Sequence, residues 1–249
     1  MNTSQVLNNK DKYDVVLFAG GRAGSLKPLS DFQPKCLLYL GTQSILQRNL
    51  TLFSKHNVRK IYVLVGRLHK MIIEHINLLK KSGLIKDNIE IVKHDDTKYL
   101  GYILKSLEKK LSTPFIISLS DVLIPDLNLD QLFVFHMNQK NPCSATLVIS
   151  DRNPINVGVV KINKKTKKVI EFIEKPQFGV YYANTAFGVF EVKVIIKYLE
   201  KYKGHIFGVV IPQMIKNNEN IVYFEVGDWY HFQTMTDLHK EHILSFDKW

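Results

Sequence analysis

The sequence has few cysteines and no long apolar segment. Among its 249 residues there are two cysteines, Cys36 and Cys143, and no apolar run reaches the ~18 residues that a membrane-spanning helix needs. Two cysteines can build neither a disulfide framework nor a zinc cluster, so we expect a reducing, cytoplasmic setting. Residues 1–12 begin without the apolar core of a signal peptide. We expect them to form a flexible lead-in, and we expect no membrane partner.

Basic residues outnumber acidic residues by 34 to 23, which gives a formal net charge of +11. Such a charge favours anionic partners: nucleic acid, acidic membranes or phosphorylated small molecules. The lysines are scattered, and their densest cluster (residues 161–168) lies between two strand-like segments, as in a solvated hairpin turn. Because there is neither a basic helix nor interleaved aromatic and basic residues, we expect a phosphorylated small molecule and no nucleic-acid partner.

The common phosphate-binding motifs are missing as well. Neither Gly-x4-Gly-Lys-Ser/Thr nor Gly-x-Gly-x-x-Gly follows the first strand-like segment. Instead, the apolar residues 15–19 lead into Gly20, Gly21 and Arg22, and Lys35 follows further along the chain. Glycines let backbone N–H groups approach an anion, and a nearby lysine adds a charge suited to phosphate. The segment therefore predicts a phosphate-binding loop; the alternative is a glycine turn without a ligand.

Hydrophobic periodicity predicts alternating strands and helices over the first half of the chain. Strand-like segments cover residues 13–19, 59–65, 89–93 and 114–119, and helical segments cover 45–56, 68–81 and 99–111. This alternation indicates a parallel sheet covered on both faces, with ligands outside the carboxyl ends of the strands. For the second half we predict helices at 130–139, 193–202, 207–217 and 234–244 and strands at 144–149, 157–162, 169–174, 183–190 and 221–225.

Asp121 is the first candidate for chemistry, because it directly follows the apolar strand predicted at 114–119. A carboxylate at the end of such a strand, beside a phosphate-binding loop, can hold Mg²⁺ through its oxygens. The alternative is an aspartate that caps a helix or stabilises a loop.

Several segments together resemble sugar-1-phosphate nucleotidyltransferases. The opening signature of that family is matched by Ala19-Gly20-Gly21, by Leu26-x-Pro28-Leu29-Ser30 and by Pro34-Lys35. Later matches are Phe172-x-Glu174-Lys175-Pro176 and Asn184-Thr185-Ala186-Phe187. The resemblance covers about residues 13–244, and the order and spacing of the segments agree with the family.

The resemblance implies an α/β fold, a Rossmann-like three-layer α/β/α sandwich with a central, mostly parallel mixed sheet of the nucleotide-diphospho-sugar transferase type. A single domain would cover residues 13–249, with a nucleotide-binding part at about 13–125 and a sugar-phosphate-binding part at about 126–249. The implied reaction joins an NTP to a sugar-1-phosphate and releases pyrophosphate. Mg²⁺, or Mn²⁺, would be the cofactor, and a homo-oligomer is expected.

The resemblance also implies roles for individual residues. Lys35, Asp121 and Arg22 would be catalytic. The nucleotide would contact Ala19, Gly20, Gly21, Gly101 and Ser120. The sugar phosphate would contact Gly158, Glu174, Lys175, Asn184 and Thr185. Asp121 would bind the metal, with His231 or Asp228 as alternatives for the second ligand.

The sequence departs from the family pattern at three places. Ser25 replaces an arginine, His231 replaces a metal-binding aspartate, and bulky Tyr102-Ile103 replaces Thr-Ala near the nucleotide. Two interpretations therefore remain open: an active nucleotidyltransferase, or an impaired relative that binds a nucleotide or sugar nucleotide or regulates a partner. A glycosyltransferase is disfavoured, because Asp95 and Asp96 are adjacent and do not form Asp-x-Asp.

Overall fold

A nine-stranded sheet forms the centre of the computed structural model, which describes residues 12–21, 23–94, 100–152, 158–174 and 182–238. The lead-in at 1–11, Arg22 and Lys175 lie outside the described residues. The strands are β1 (Tyr13–Phe18), β2 (Tyr39–Leu40), β3 (Gln43–Ser44), β4 (Val58–Val65), β5 (Ile89–Lys93), β6 (Phe115–Leu119), β7 (Val122–Leu123), β8 (Ala145–Ser150), β9 (Val159–Asn163), β10 (Lys168–Ile173), β11 (Tyr182–Phe190), β12 (Ile221–Val226) and β13 (Tyr230–His231). The α-helices are α1 (Leu29–Phe32), α2 (Ile45–Ser54), α3 (His69–Lys81), α4 (Leu100–Leu107), α5 (Leu129–Met137), α6 (Val192–Tyr202) and α7 (Ile211–Lys216).

The large sheet has the strand order β5-β4-β1-β6-β11-β8-β12-β10-β9. Its first four strands are all parallel, which confirms the prediction made from the alternating pattern. β11 lies antiparallel between β6 and β8, β12 runs parallel to β8, and β9 and β10 form the predicted antiparallel hairpin. Only β10 and β11 oppose the other strands of this sheet, so it is mixed but mostly parallel, as expected.

Helices cover both faces of the sheet, which gives the three predicted layers. The core on one face contains side chains of α2, α3 and α5, such as Leu50, Ile76 and Leu132. The core on the other face contains side chains of α4, α6 and α7, such as Leu104 and Ile195. Strands buried on both faces explain why the sequence shows continuous apolar runs. No helix among the described residues has the length and apolar character to cross a membrane.

Helix α2 begins after Ser44, whose Oγ accepts a hydrogen bond from the N–H of Gln47 at 3.0 Å. Serine is one of the preferred N-cap residues, so the start of this helix has a local cause. The core-facing side chains of α2 recur at helical spacing and are fully buried: Leu46, Leu50 and Phe53. Arg48 and Thr51 lie on the other face of the helix, which lines a separate cavity described below.

The helix predicted at 207–217 differs from the structure. Residues Ile206–Val210 form a π-helix, and α7 starts only at Ile211. The N–H of Ile211 bonds to the carbonyl of Ile206. The next residue is Pro212, which has no N–H and cannot donate to a regular α-helical ladder. The sequence pattern gives the apolar periodicity of this segment but not the wider first turn.

Candidate active site

The carboxyl ends of β1, β4 and β6 meet at one edge of the sheet. There the N–H of Ser120 donates to the carbonyl of Phe18 at 3.0 Å, and the N–H of Ala19 donates to the carbonyl of Leu64 at 2.9 Å. The glycine loop after β1 and Asp121 after β6 therefore start from neighbouring strand ends. This is the arrangement that the sequence predicts for a ligand site.

Asp121 lies at the centre of a small cluster with Lys35 and His231. Lys35 Nζ lies 2.5 Å from Asp121 Oδ2, and both side chains are largely buried, at 16% and 14% exposure. His231 Nε2 lies 3.4 Å from the same oxygen. Two predicted site residues from distant parts of the chain thus converge on Asp121.

The short pairing of β7 with β13 brings His231 to this position. β7 directly follows Asp121, and in its register Val122 pairs with His231. The N–H of Phe232 also donates to the carbonyl of Asp121 at 3.0 Å. This ladder fixes His231 beside the carboxylate. Asp228, the alternative metal ligand, instead forms an ion pair with Arg152 near the surface.

The surroundings of Asp121 keep it ionised. Burial alone would raise the pKa of Asp121, but the hydrogen bond from His231 and the positive charge of Lys35 outweigh it. The pKa of this carboxyl therefore lies well below its ordinary value. An ionised, partly enclosed carboxylate is suited to bind a cation.

The donor set around Asp121 fits a divalent ion that the substrate helps to hold. Within the described ranges, no group of three or more histidine, cysteine, aspartate or glutamate side chains could hold a metal alone. Mg²⁺ is commonly bound by one or two carboxylates together with substrate phosphates and water, so Asp121 suffices as its carboxylate anchor. The imidazole of His231 suits Mn²⁺ better than Mg²⁺.

The glycine loop is closely packed at Gly20 and open at Gly21. A Cβ on Gly20 would lie 2.6 Å from the backbone N of Gly66 and 2.6 Å from His94 Nε2, so no larger residue fits. A Cβ on Gly21 would meet nothing within 4 Å among the described atoms. Gly21 can therefore present its backbone to a ligand, while Gly20 lets the loop pass close to β4.

Ser25, at the position of the family's arginine, has a structural contact. Its Oγ donates to the carbonyl of Gln233 at 2.6 Å. This bond links the glycine loop to the segment that carries His231. Leu26 and Phe232, which are both about 1% exposed, add an apolar contact cluster at the same junction. The loop and the second half of the chain therefore meet at the site.

A cavity of about 420 Å³ extends from Asp121 and His231 toward the second half of the chain. Gly158, Glu174 and Asn184, three of the residues expected to contact the sugar phosphate, line it together. A Cβ on Gly158 would lie 2.8 Å from Glu174 Oε2, so glycine allows this carboxylate to stay against the cavity wall. The N–H of Asn184 donates to the carbonyl of Gly158 at 2.7 Å, which joins the two residues.

Asn184 offers an acceptor to a ligand. Its side chain is 5% exposed, and its Oδ1 has no hydrogen-bond partner within the described part of the chain. A buried carbonyl oxygen without a partner is costly, so a ligand hydroxyl that donates to it would be favoured. The register of β11 shifts between Asn184 and Gly188, and Ala186 has a φ of 57°. Such bulges re-aim side chains beside active sites.

The next residue, Thr185, differs from Asn184 because its side chain has a partner within the sheet. Its Oγ1 donates to the carbonyl of Val148 at 2.9 Å, and the residue is fully buried. The side chain of Thr185 therefore stabilises the sheet, contrary to the expectation that it contacts the sugar phosphate.

The two bulky residues at 102–103, which depart from the family pattern, have different surroundings. Ile103 packs in the core, and Tyr102 is 56% exposed.

His205 lines the same cavity and was not predicted from the sequence. Its Nδ1 accepts a hydrogen bond from the N–H of Gly208 at 3.2 Å, which caps the π-helix. Because Nδ1 is an acceptor, the neutral ring carries its proton on Nε2. The sequence predicted a helix only from Phe207, so the signal that could have revealed His205 was a histidine two residues before the predicted helix start, at the N-cap position.

The remaining predicted residues lie in the first half. Gly101 lies in the first turn of α4, and Ser120 directly precedes Asp121. A glycine loop, an ionised aspartate and a cavity at the carboxyl edge of a mostly parallel sheet define a class of α/β proteins that bind phosphorylated ligands at this edge.

The chain belongs to the nucleotidyl transferase family, whose model matches residues 14–244. This confirms the resemblance stated above. A bifunctional protein GlmU from Methanococcus maripaludis is 24% identical over 189 residues, which are 72% of this chain and 42% of that protein. A protein of the same name from Methanococcus aeolicus is 27% identical over 164 residues, 66% of this chain and 36% of that protein. The chain thus spans less than half the length of these curated relatives.

Solved structures confirm the fold. A UDP-glucose pyrophosphorylase complexed with UDP-glucose superimposes with a TM-score of 0.77 at 16% identity, covering 96% of this chain and 100% of that chain. The inositol-1-phosphate CTP transferase from T. maritima gives a TM-score of 0.74 at 16% identity, with 94% and 95% coverage. The predicted fold class is therefore correct.

Proposed function

We propose that this protein transfers a nucleotidyl group from an NTP to a sugar-1-phosphate, which yields an NDP-sugar for glycan synthesis. A phosphate oxygen of the acceptor attacks the α-phosphorus, the bond from that phosphorus to the bridging oxygen breaks, and pyrophosphate leaves. The convergence of Lys35, His231 and Asp121 between the glycine loop and the 420 Å³ cavity carries this proposal. In this proposal the charged groups would act on the reacting phosphates, with the nucleotide at the glycine loop and the sugar in the cavity.

On the nucleotide side, the backbone at Ala19, Gly20 and Gly21 would hold the phosphates, assisted by Gly101 and Ser120 near the strand ends. Lys35 would neutralise negative charge that develops on the phosphates. Arg22 is proposed to supply the positive charge that the neutral side chain of Ser25 lacks.

Asp121 and His231 would hold Mg²⁺ or Mn²⁺, which when bound would offset the negative charge of the reacting phosphates. Asp121 is suited to this because it stays ionised. His231 is fixed beside it by the β7–β13 pairing.

On the acceptor side, Asn184 Oδ1 would accept a hydrogen bond from a sugar hydroxyl, and Glu174 would accept another. His205 would donate through Nε2, which complements these acceptors. Lys175 follows Glu174 in the sequence and is proposed to bind the acceptor phosphate. Holding both reactants at one edge replaces a chance encounter by a fixed geometry.

We further propose that the protein works in the cytoplasm as a homo-oligomer, without nucleic-acid or membrane partners. The scattered lysines and the two cysteines, both free and buried, support this setting. Light scattering after size-exclusion chromatography would measure the oligomeric state; a monomer at micromolar concentration would refute this part.

A second candidate is a family member that binds nucleotide or sugar nucleotide with little turnover. Two observations favour it: Ser25 is engaged in a structural bond, and an imidazole stands where a second carboxylate is expected. Loss of one charge-stabilising group typically costs about 10²–10³ in rate.

Pyrophosphate release separates the two candidates. The protein would be mixed with each NTP and a panel of sugar-1-phosphates, first with Mg²⁺ and then with Mn²⁺. Release with one pair supports the transferase. If none is released, NTP binding is measured by calorimetry. Binding without release supports the second candidate, and absence of both contradicts the two candidates together.

A further inference from the structure

A second cavity, of about 330 Å³, lies between α2 and the segment that follows Asp121. One wall is the outer face of α2, where Arg48, Thr51 and Lys55 recur at helical spacing. The other wall is formed by residues 123–126. The described linings of this cavity and of the active-site cavity share no residue. Its volume falls within the range of small-molecule sites, roughly 300–1,000 Å³.

The polar groups of this cavity favour an anion. Arg48 is half-buried, and its Nη2 donates to the carbonyl of Leu40, which fixes the direction of the guanidinium. Burial lowers the pKa of Arg48 but leaves it charged at neutral pH. Lys55 lies one turn beyond Thr51 on the same face and is exposed. Asp126 opposes them, so the lining carries one net positive charge.

Apart from Gln43, the remaining lining is apolar. Leu123 and Ile124 are each 3% exposed, and Leu52 and Pro125 complete the apolar surface. A small ligand that fills this space therefore needs an anionic end at Arg48 and Lys55 and a compact body against the apolar wall. An arginine in a fixed orientation, with a lysine and a hydroxyl nearby, matches the oxygens of a phosphate group.

We propose that this cavity binds a small organic phosphate monoester, with its phosphate held by Arg48, Thr51 and Lys55. The site is separate from the proposed catalytic site and does not depend on the proposed reaction.

Its position links it to Asp121. Leu123 lies in β7, the strand that follows Asp121 and pairs with the strand that carries His231. Asn49, next to Arg48 on α2, donates its amide to the carbonyl of Ser120 at 3.4 Å. An occupant would thus contact both elements that position the catalytic aspartate. We infer that occupancy changes the affinity for NTP, a step that rests on the proposed function.

Calorimetry on the full chain tests the site, with inorganic phosphate and phenyl phosphate as probes. Phenyl phosphate is expected to bind more tightly, because its ring contacts the apolar wall. Arg48→Gln should weaken phenyl phosphate binding about tenfold or more, the usual effect of losing a charged hydrogen bond. Lys55→Gln should weaken it about threefold, and Asp126→Asn should strengthen it about threefold, because it removes an opposing charge.

Two controls locate the binding. Lys81→Gln removes an exposed lysine of α3 and should leave phenyl phosphate binding unchanged. Lys35→Gln alters the proposed active site, so any phenyl phosphate binding that it removes belongs to that site, and the binding that Arg48→Gln weakens should persist in it. Equal binding by wild type, Arg48→Gln and Lys55→Gln would overturn the proposal, as would loss of all binding in Lys35→Gln. If Arg48→Gln fails to fold, the exposed Lys55 and Asp126 variants decide the question.

The link to Asp121 is tested by measuring NTP affinity with and without saturating phenyl phosphate. In wild type the NTP affinity should change as phenyl phosphate is added, and in Arg48→Gln the same change should need at least about tenfold more phenyl phosphate, which would support the coupling. An unchanged NTP affinity would refute the coupling while leaving the anion site in place. Absence of NTP binding altogether would refute the proposed function instead, and the phenyl phosphate titrations would stand on their own.

Discussion

Replacing Asp121 with asparagine removes one negative charge and keeps the shape of the side chain. In the wild type, Lys35 Nζ lies 2.5 Å from Asp121 Oδ2, and the Lys35 side chain is only 16% exposed. In the variant, this ammonium group would face a neutral amide oxygen. Removing one partner of a buried ion pair costs about 3–5 kcal/mol. Because the asparagine oxygen still accepts a hydrogen bond from Lys35, we expect about 2 kcal/mol, or a fall in Tm of about 4–8 °C.

The same substitution should affect activity far more than stability. Asp121 is proposed to anchor the metal, so pyrophosphate release should fall by about 10²–10³ or more. Thermal unfolding by circular dichroism and steady-state pyrophosphate release measure the two effects separately.

Asp228→Asn is the matched control, because Asp228 forms its ion pair with Arg152 near the surface. It should change neither the melting temperature nor the turnover appreciably. Asp121→Asn with turnover within threefold of wild type would remove Asp121 from the mechanism. A higher melting temperature in that variant would show that Lys35 and Asp121 do not stabilise each other.

Three other substitutions test separate parts of the site. His231→Asp restores two carboxylates and should raise the ratio of the Mg²⁺-supported to the Mn²⁺-supported rate about tenfold, as measured by metal titration of turnover. Gly20→Ala places a Cβ 2.6 Å from the backbone N of Gly66 and should cost about 1–3 kcal/mol in urea unfolding. Asn184→Ala removes the proposed sugar acceptor and should raise the KM for the sugar-1-phosphate about tenfold while the KM for NTP stays constant.

A specific result would contradict each of these three predictions. An unchanged metal preference in His231→Asp would show that His231 does not contact the ion. Gly21→Ala, which meets no neighbour, should unfold like wild type, and equal destabilisation by both glycine variants would refute the packing argument. An equal rise in both KM values for Asn184→Ala would indicate a general distortion of the site.

The first half of the fold follows from sequence pattern because its strands are parallel and separated by helices. The apolar runs that end at Phe18 and Leu119 lie side by side in the sheet, so Gly20 and Asp121 emerge at one edge. The family resemblance then supplied Lys35 and His231, and the structure brings both to Asp121. Gly20 and Asp121 could be located because each lies two residues after a strand that the apolar pattern predicts.

Other features depend on contacts between distant residues that no local pattern encodes. The bond from Ser25 to Gln233 joins residues more than 200 positions apart. Successive residues of a strand point to opposite faces, so the different surroundings of Asn184 and Thr185 follow from alternation, whereas the register shift between Asn184 and Gly188 does not. His205, which lines the cavity, caps a π-helix whose geometry the apolar periodicity does not reveal.

Product analysis tests the central claim most directly. The protein would be incubated with its best NTP, sugar-1-phosphate and divalent ion, and the products quantified by ³¹P NMR. The account predicts an NDP-sugar and pyrophosphate in equal amounts, both lost in Asp121→Asn and retained in Asp228→Asn. Pyrophosphate without an NDP-sugar, or equal product formation by the wild type and Asp121→Asn, would contradict it.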